Sequence, residues 1–395
     1  MKLLFVCLFI ILNAVSVFAF EGKADLGTSL YMYEVDSTSH AKFYQSLKTS
    51  VILSRANLKK ITFHSYGRWR SDFSNKDKSD PQFSLYDAYI KFSNYIPQTK
   101  VKIGRQFSFT PIGTALIDGI GLDSYFSKKV KLKFSAGAFV DRSEPDKIQN
   151  FSQNLTSLLR LTYNFDRFKT GINYLYKKRD DESALHKAGV DLSIYRTSYS
   201  LYTRGTYDFE LLQFHEFLIR GSYQKDKIYF STELLHKKPS VSTNSVFAII
   251  DAQDYKRIRF DFQYKLNSVY KVISQIRNSF FDDENILGGY VGISTSSYTL
   301  MYNFQNGQGT KNSGVSGNIS HKINNIYAVY GSVNLYKYKI QDEIDETSES
   351  YAAAFGLARP IGSALYVRVE YQYLRNAVES SNQRIYLKLN RQFKF

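Results

Sequence analysis

Beyond residue 20 the chain has no apolar run long enough to cross a bilayer as a helix, yet apolar and polar residues alternate in one segment after another. Period-two alternation sends successive side chains to opposite faces of a strand, so each segment has one apolar and one polar face. The closing segment illustrates this. Ile385, Leu387, Leu389, Phe393 and Phe395 share one parity, broken only by Arg391, while Tyr386, Lys388, Asn390, Gln392 and Lys394 share the other. Such segments, from 23–34 to 384–395, return about every 17 residues and give about 22 strands, an even number. Dropping 121–127, or merging 186–195 with 198–208, lowers the count to 18 or 20. A sheet of that size must cover its apolar face with a second sheet or with lipid. A soluble two-sheet arrangement of 395 residues would divide into domains, and no Pro-, Gly- or Ser-rich linker interrupts the pattern. The sequence predicts an all-β, antiparallel, up-and-down transmembrane β-barrel in one domain, residues 20–395, without a plug domain. Its 32 Tyr and 30 Phe, against one Trp and six Pro, are the β-formers and interfacial rings of such a barrel.

Residues 1–19 read as a secretory signal peptide: Lys2, an apolar stretch from Leu3 to Leu12, and Val17-Phe18-Ala19 before a cut after Ala19. The single cysteine, Cys7, lies inside it, so the exported chain has no thiol chemistry. The closing strand, with its terminal Phe395, resembles the C-terminal signal of outer-membrane barrels. That resemblance implies the outer membrane of a Gram-negative bacterium, with lipid, lipopolysaccharide and the barrel assembly machinery as partners. The connections alternate in length, as periplasmic turns and extracellular loops do. Ile96-Pro97-Gln98, Lys128-Lys129, Asp166-Arg167 and Asn267-Ser268 are short, whereas 72–82, 109–120, 141–153, 238–254 and 339–349 are long. Aromatics such as Tyr95, Phe165, Phe168, Tyr270, Tyr298 and Tyr366 crowd the short turns, as an interfacial girdle requires.

The formal net charge is +16. A basic balance fits nucleic acid, membrane surfaces or acidic solutes, and an exported barrel does not meet nucleic acid. With the apolar parity facing lipid, the other parity lines the lumen. It holds Arg68, Arg70, Lys131, Lys133, Arg160, Arg204, Arg220, Arg257, Arg259, Arg277 and Arg368, with His64 and Lys91. The inward acids are fewer: Asp87, Asp191, Glu216, Glu233, Asp261 and Glu370. Basic rings raise the local anion concentration and repel cations. The alternative is that these charges only solvate the lumen and pair across neighbouring strands.

One segment stands apart. Residues 100–121 end a strand in Gly104-Arg105-Gln106 and continue through Pro111, Gly113, Asp118, Gly119 and Gly121. This resembles the porin superfamily, alginate-export-type porins included, where a Gly-Arg-Gln strand precedes a loop folded into the pore and an Asp-Gly opens the next strand. The resemblance implies that the 109–120 loop narrows the lumen, with Arg105, Gln106, Pro111, Asp118 and Gly119 at the constriction. Arg105 departs from the pattern: it shares parity with Val101 and Ile103 and so aims at lipid. Either a bulge at Gly104 turns it inward or it sits at headgroup level. A second apolar connection, 246–250, either folds inward or extends the next strand.

No G-x-S-x-G or H-E-x-x-H pattern occurs, and the His residues lack ligand spacing, so no enzyme, metal or cofactor is expected. Asp180-Asp181 and Asp282-Asp283 read as solvated loop tips. The expected function is a porin-like channel for passive diffusion of small hydrophilic solutes, favouring anions. The alternative is a non-conducting barrel with a structural or surface-interaction role. Monomer and homo-oligomer both stay open.

Overall fold

The computed structural model describes residues 21–395 apart from 36–37, 75–80, 142–146, 239–252, 283, 308–309, 325, 340–347 and 378–380. The leader 1–19 and the apolar connection 246–250 therefore lie outside the described residues. All regular structure among the described residues is β: 22 antiparallel strands, each hydrogen-bonded to its neighbours in sequence. The ring closes where β1 (Gly22–Val35) pairs with β22 (Asn382–Lys394). At that seam Gly22 N donates to Phe395 O at 2.7 Å and Phe395 N donates to Gly22 O at 3.1 Å. Closure pairs the first strand with the last, which is what a β-structure inside a bilayer needs to satisfy the backbone of its terminal strands.

The pleat divides outside from inside as the alternation predicts. On β9 (Phe168–Arg179), Ile172 is 58% exposed while its neighbour Asn173 is fully buried; on β10 (Glu182–Tyr195), Val190 is open and Asp191 is buried. The open parity is apolar all round the ring, with Phe134, Phe260, Ile276, Leu300 and Phe355 on it, so the outer surface is a lipid-facing band. Inward positions are polar. Tyr95, Phe165, Phe168, Tyr270, Tyr298 and Tyr366 are exposed at the short-turn rim, and Phe165 stacks on Phe168 with centroids 3.8 Å apart. Asp180-Asp181 forms a two-residue hairpin turn with both residues at positive φ, as Asp tolerates.

The largest departure from expectation concerns 109–120, which is not a loop. β5 (Thr99–Thr110) and β6 (Gly113–Tyr125) form a hairpin joined by a two-residue turn, Pro111-Ile112. The glycines that read as loop, Gly119 and Gly121, sit inside β6. A Cβ on Gly119 would collide with the Ala136 carbonyl of β7 (Val130–Phe139), so here glycine marks close strand approach rather than a bend. The expected strand 121–127 accordingly begins eight residues earlier, at Gly113. Strands β17 (Tyr298–Gly307) and β18 (Thr310–Ile323) likewise run into the 306–313 connection.

Candidate functional site: a charged lumen with an inward hairpin

The hairpin leaves the barrel wall part-way up. β4 (Gln82–Ser93) pairs with β5 only as far as Ala88–Arg105, and β6 pairs with β7 only as far as Ile117–Phe139. Residues 106–116 therefore pair mainly with one another. Gly104, at φ +122°, lies immediately before the departure, and a Cβ there would strike the Ala88 carbonyl. Beyond it, Gln106, Ser108, Thr110, Ala115 and Ile117 form one buried face. That face lies on the inner wall: Ser108 Oγ donates to Ser135 Oγ at 3.0 Å, and Ala115 and Ile117 pack on Leu158 of β8 (Leu155–Asn164) and Leu175 of β9. This is the apolar cluster of the described residues, and it lies inside the barrel. Burying each of its large side chains is worth about 1.5–3 kcal/mol.

The tip reaches further. An Ile112 methyl lies 2.6 Å from where a Cβ on Gly189 of β10 would sit, so that position needs glycine. Arg204 of β11 (Tyr199–Asp208) donates Nη1 to the Pro111 carbonyl at 2.7 Å, and Lys133 donates to the Phe109 carbonyl at 3.0 Å. Phe107 and Phe109 have the opposite parity to the wall-facing set. They are about half exposed and turn away from the wall, toward the lumen.

Arg105 sits at the point of departure. It is 5% exposed and makes a two-pronged ion pair with Asp118, Nε to Oδ1 and Nη2 to Oδ2, both at 2.7 Å. Its remaining donors go to the Leu85 carbonyl and the Lys147 carbonyl, both at 3.2 Å. Neither expected resolution of its parity holds: it is neither turned inward by a bulge nor left among headgroups. The strands around it bend away, and β4 and the connection after β7 cover it. Gln106 donates to the Gly119 carbonyl at 3.4 Å, so Arg105, Gln106, Asp118 and Gly119 are brought together at the base of the hairpin, with Pro111 at its tip.

By strand parity the expected basic residues fall opposite the exposed apolar set, and most are paired. Arg160 meets Asp191 at 3.0 Å, Arg204 meets Glu216, Lys131 meets Asp123 at 3.4 Å and Arg368 meets Glu370 and Tyr330. Glu233, on β13 (Ile228–Lys237), is fully buried and serves three guanidiniums: Arg220, Arg257 at 2.8 Å and Arg259 at 3.6 Å. Arg259 also holds Asp261 at 3.0 Å. Arg277 and Arg70 donate to the amide oxygens of Gln305 and Gln82, and Arg68 lies over the Tyr44 and Tyr86 rings. From β8 to β14 (Tyr255–Lys265) the wall is thus largely a lattice of arginine–carboxylate pairs.

The unpaired charge lies elsewhere, on lysines that sequence reading had mostly passed over. On β3 (Lys59–Asp72), β4 and β5, Lys91 and Lys102 face each other directly across the strands, next to Thr62. Among the described residues no carboxylate lies within ion-pair distance of either. Lys48, Lys60 and Lys100 add to the field at His64 or Lys91.

No family model and no curated protein matches the sequence. Solved structures match along nearly its whole length. The P pilus usher (PapC) translocation pore superposes with a TM-score of 0.51 at 8% identity, over 94% of this chain and 99% of that one. OccK2 (OpdF) of Pseudomonas aeruginosa gives 0.48 at 8% identity, over 95% and 98%, and OccAB3 of Acinetobacter baumannii gives 0.47 at 12%, over 95% and 100%. At such identities the likeness is one of fold. Fold and surface together define the class: a closed transmembrane β-barrel, crossing the bilayer with 22 strands.

Proposed function

We propose that this barrel is a channel for passive diffusion of small hydrophilic solutes and that it favours anions. The observation that carries the preference is the lysine-bearing wall of β3–β5, where Lys91 and Lys102 have no carboxylate partner among the described residues. The arginines contribute less than their number implies, because a paired guanidinium adds little net field. In a low-dielectric wall a few uncompensated ammoniums dominate the local potential. The β5–β6 hairpin narrows the path. It brings Lys133 and Arg204 to its own carbonyls and presents Phe107 and Phe109 to the passing solute. Lipid and lipopolysaccharide cover the outer band, and the assembly machinery receives the closing strand.

Reversal potentials across a planar bilayer in a potassium chloride gradient test this reading. A potential of the sign set by chloride is the expected result, and clear potassium preference overturns it. The arginine–carboxylate lattice favours a second reading, a rigid non-conducting barrel. Protein that inserts stably but never passes current would establish that one instead.

A further inference from the structure

The inner wall of β3–β5 carries an arrangement that is costly unless something binds it. Lys91 and Lys102 are direct cross-strand neighbours, and like charges so placed repel. The lattice on β8–β14 resolves the same problem with Asp191, Glu216, Glu233 and Asp261, whereas among the described residues no acid forms an ion pair with either lysine here. Asp87 lies four residues along β4 from Lys91, and Asp123, opposite Lys100, is engaged by Lys131. Two further groups at the same place lack partners. Thr62, cross-strand neighbour of Lys91, is 2% exposed, and its Oγ1 makes no hydrogen bond. His64, two residues along on the same face, has a buried Nε2 without a partner. Its ring stacks on Tyr89 at 4.9 Å, and Lys102 Nζ stands 5.1 Å from the centre of that Tyr89 ring, so tyrosine, imidazole and ammonium are held together. A buried hydroxyl or imidazole nitrogen left unsatisfied is destabilising, and here it lies beside two uncompensated charges.

We infer that Thr62, His64, Lys91 and Lys102 form a binding site for a doubly charged tetrahedral oxyanion of the phosphate or sulfate class. The donor set selects the ligand. Two ammoniums call for two negative charges. A hydroxyl and an imidazole N–H in addition call for more acceptor oxygens than a monocarboxylate offers, and for directed lone pairs that chloride lacks. The site deepens the anion-channel reading and rests on it for access through a wet lumen. It makes the channel one with a saturable station for such anions rather than a uniformly positive tube.

The test uses the full-length protein folded in detergent, titrated calorimetrically with inorganic phosphate, a small phosphate monoester, sulfate and chloride. Saturable binding of the dianions at concentrations where chloride gives none is expected, with Lys91→Gln/Lys102→Gln weakening it at least tenfold and Thr62→Val several-fold. Lys322→Gln, on the far side of the barrel, should bind as the parent does. Removing the lysine repulsion does not threaten folding, and circular dichroism checks it. Comparable affinity for phosphate and its monoester assigns the site to the dianionic headgroup, whereas binding of only one of them identifies which form the lumen admits. Absence of saturable binding, or binding undiminished in the double lysine variant, overturns the inference. The two readings fail separately. Anion-selective current without dianion binding removes the site and leaves the channel. Dianion binding in a barrel with no anion preference does the reverse.

Discussion

Arg105 illustrates how a residue that breaks a local rule can mark a bend in the chain. By parity it belongs with Val101 and Ile103 on the lipid face, where a guanidinium is costly at mid-depth. The chain leaves the wall at that point, and the guanidinium closes the corner by holding Asp118 and two carbonyls. A buried pair of this kind is a poor source of net stability, but breaking it is expensive because one charge is left uncompensated. Asp118→Asn or Arg105→Met is expected to cost about 3–5 kcal/mol, read as a lower denaturant midpoint of the refolded barrel. The double replacement Arg105→Met/Asp118→Leu should recover most of that loss. Single variants as stable as the parent would show that the pair does not hold the corner. The sequence made Arg105 conspicuous but not its solution, because Leu85 and Lys147, which supply its other acceptors, are distant in the chain.

The β5–β6 hairpin was half legible as an element. The segment stood out for its glycines and its Pro111 turn, and the resemblance pointed to an inward fold. Its strand character was hidden, because Gly119 and Gly121 read as punctuation. In the structure Gly119 is where two backbones come too close for any side chain. Its docking was equally hidden, since it depends on Leu158, Leu175 and Gly189, three residues from three other strands that no local pattern links to Ile112 or Ile117. If the hairpin narrows the path, replacing 107–116 by a two-residue turn should raise single-channel conductance severalfold while the barrel still closes. A milder version, Arg204→Ala, removes the tip's tether at Pro111 together with the Glu216 pair and should increase current fluctuations while lowering stability. Unchanged conductance in both variants would make the hairpin a strut rather than a constriction.

For the whole molecule, parity was the most informative signal: period two fixes inside and outside on every strand, and the count of 22 follows from repeated turns. What parity could not deliver was pairing. It assigns arginines to a face, but whether Arg220 meets Glu233 depends on register, which is settled by neighbours and bulges such as that between Thr206 and Tyr207. The net field is therefore smaller than the census of basic residues implies and is concentrated on one side. Selectivity from so few uncompensated charges should be strongly screened: the chloride-to-potassium permeability ratio is expected to fall toward the free-solution value between 0.1 M and 1 M salt, as the Debye length shrinks from about 10 Å to about 3 Å. A ratio independent of salt would place the discrimination in a tight desolvated contact instead. The seam between β1 and β22 bears on time rather than charge. β1 finds its second partner only in β22, almost a full chain length away, so during synthesis and export it travels with one side of its backbone unsatisfied. Such an edge is a template for pairing with any other strand, including that of a second copy. Every partly delivered chain is thus an open ribbon that must be guarded, and the β1–β22 ladder, from Tyr33–Arg384 to the paired ends Gly22 and Phe395, is the latch that ends its vulnerability.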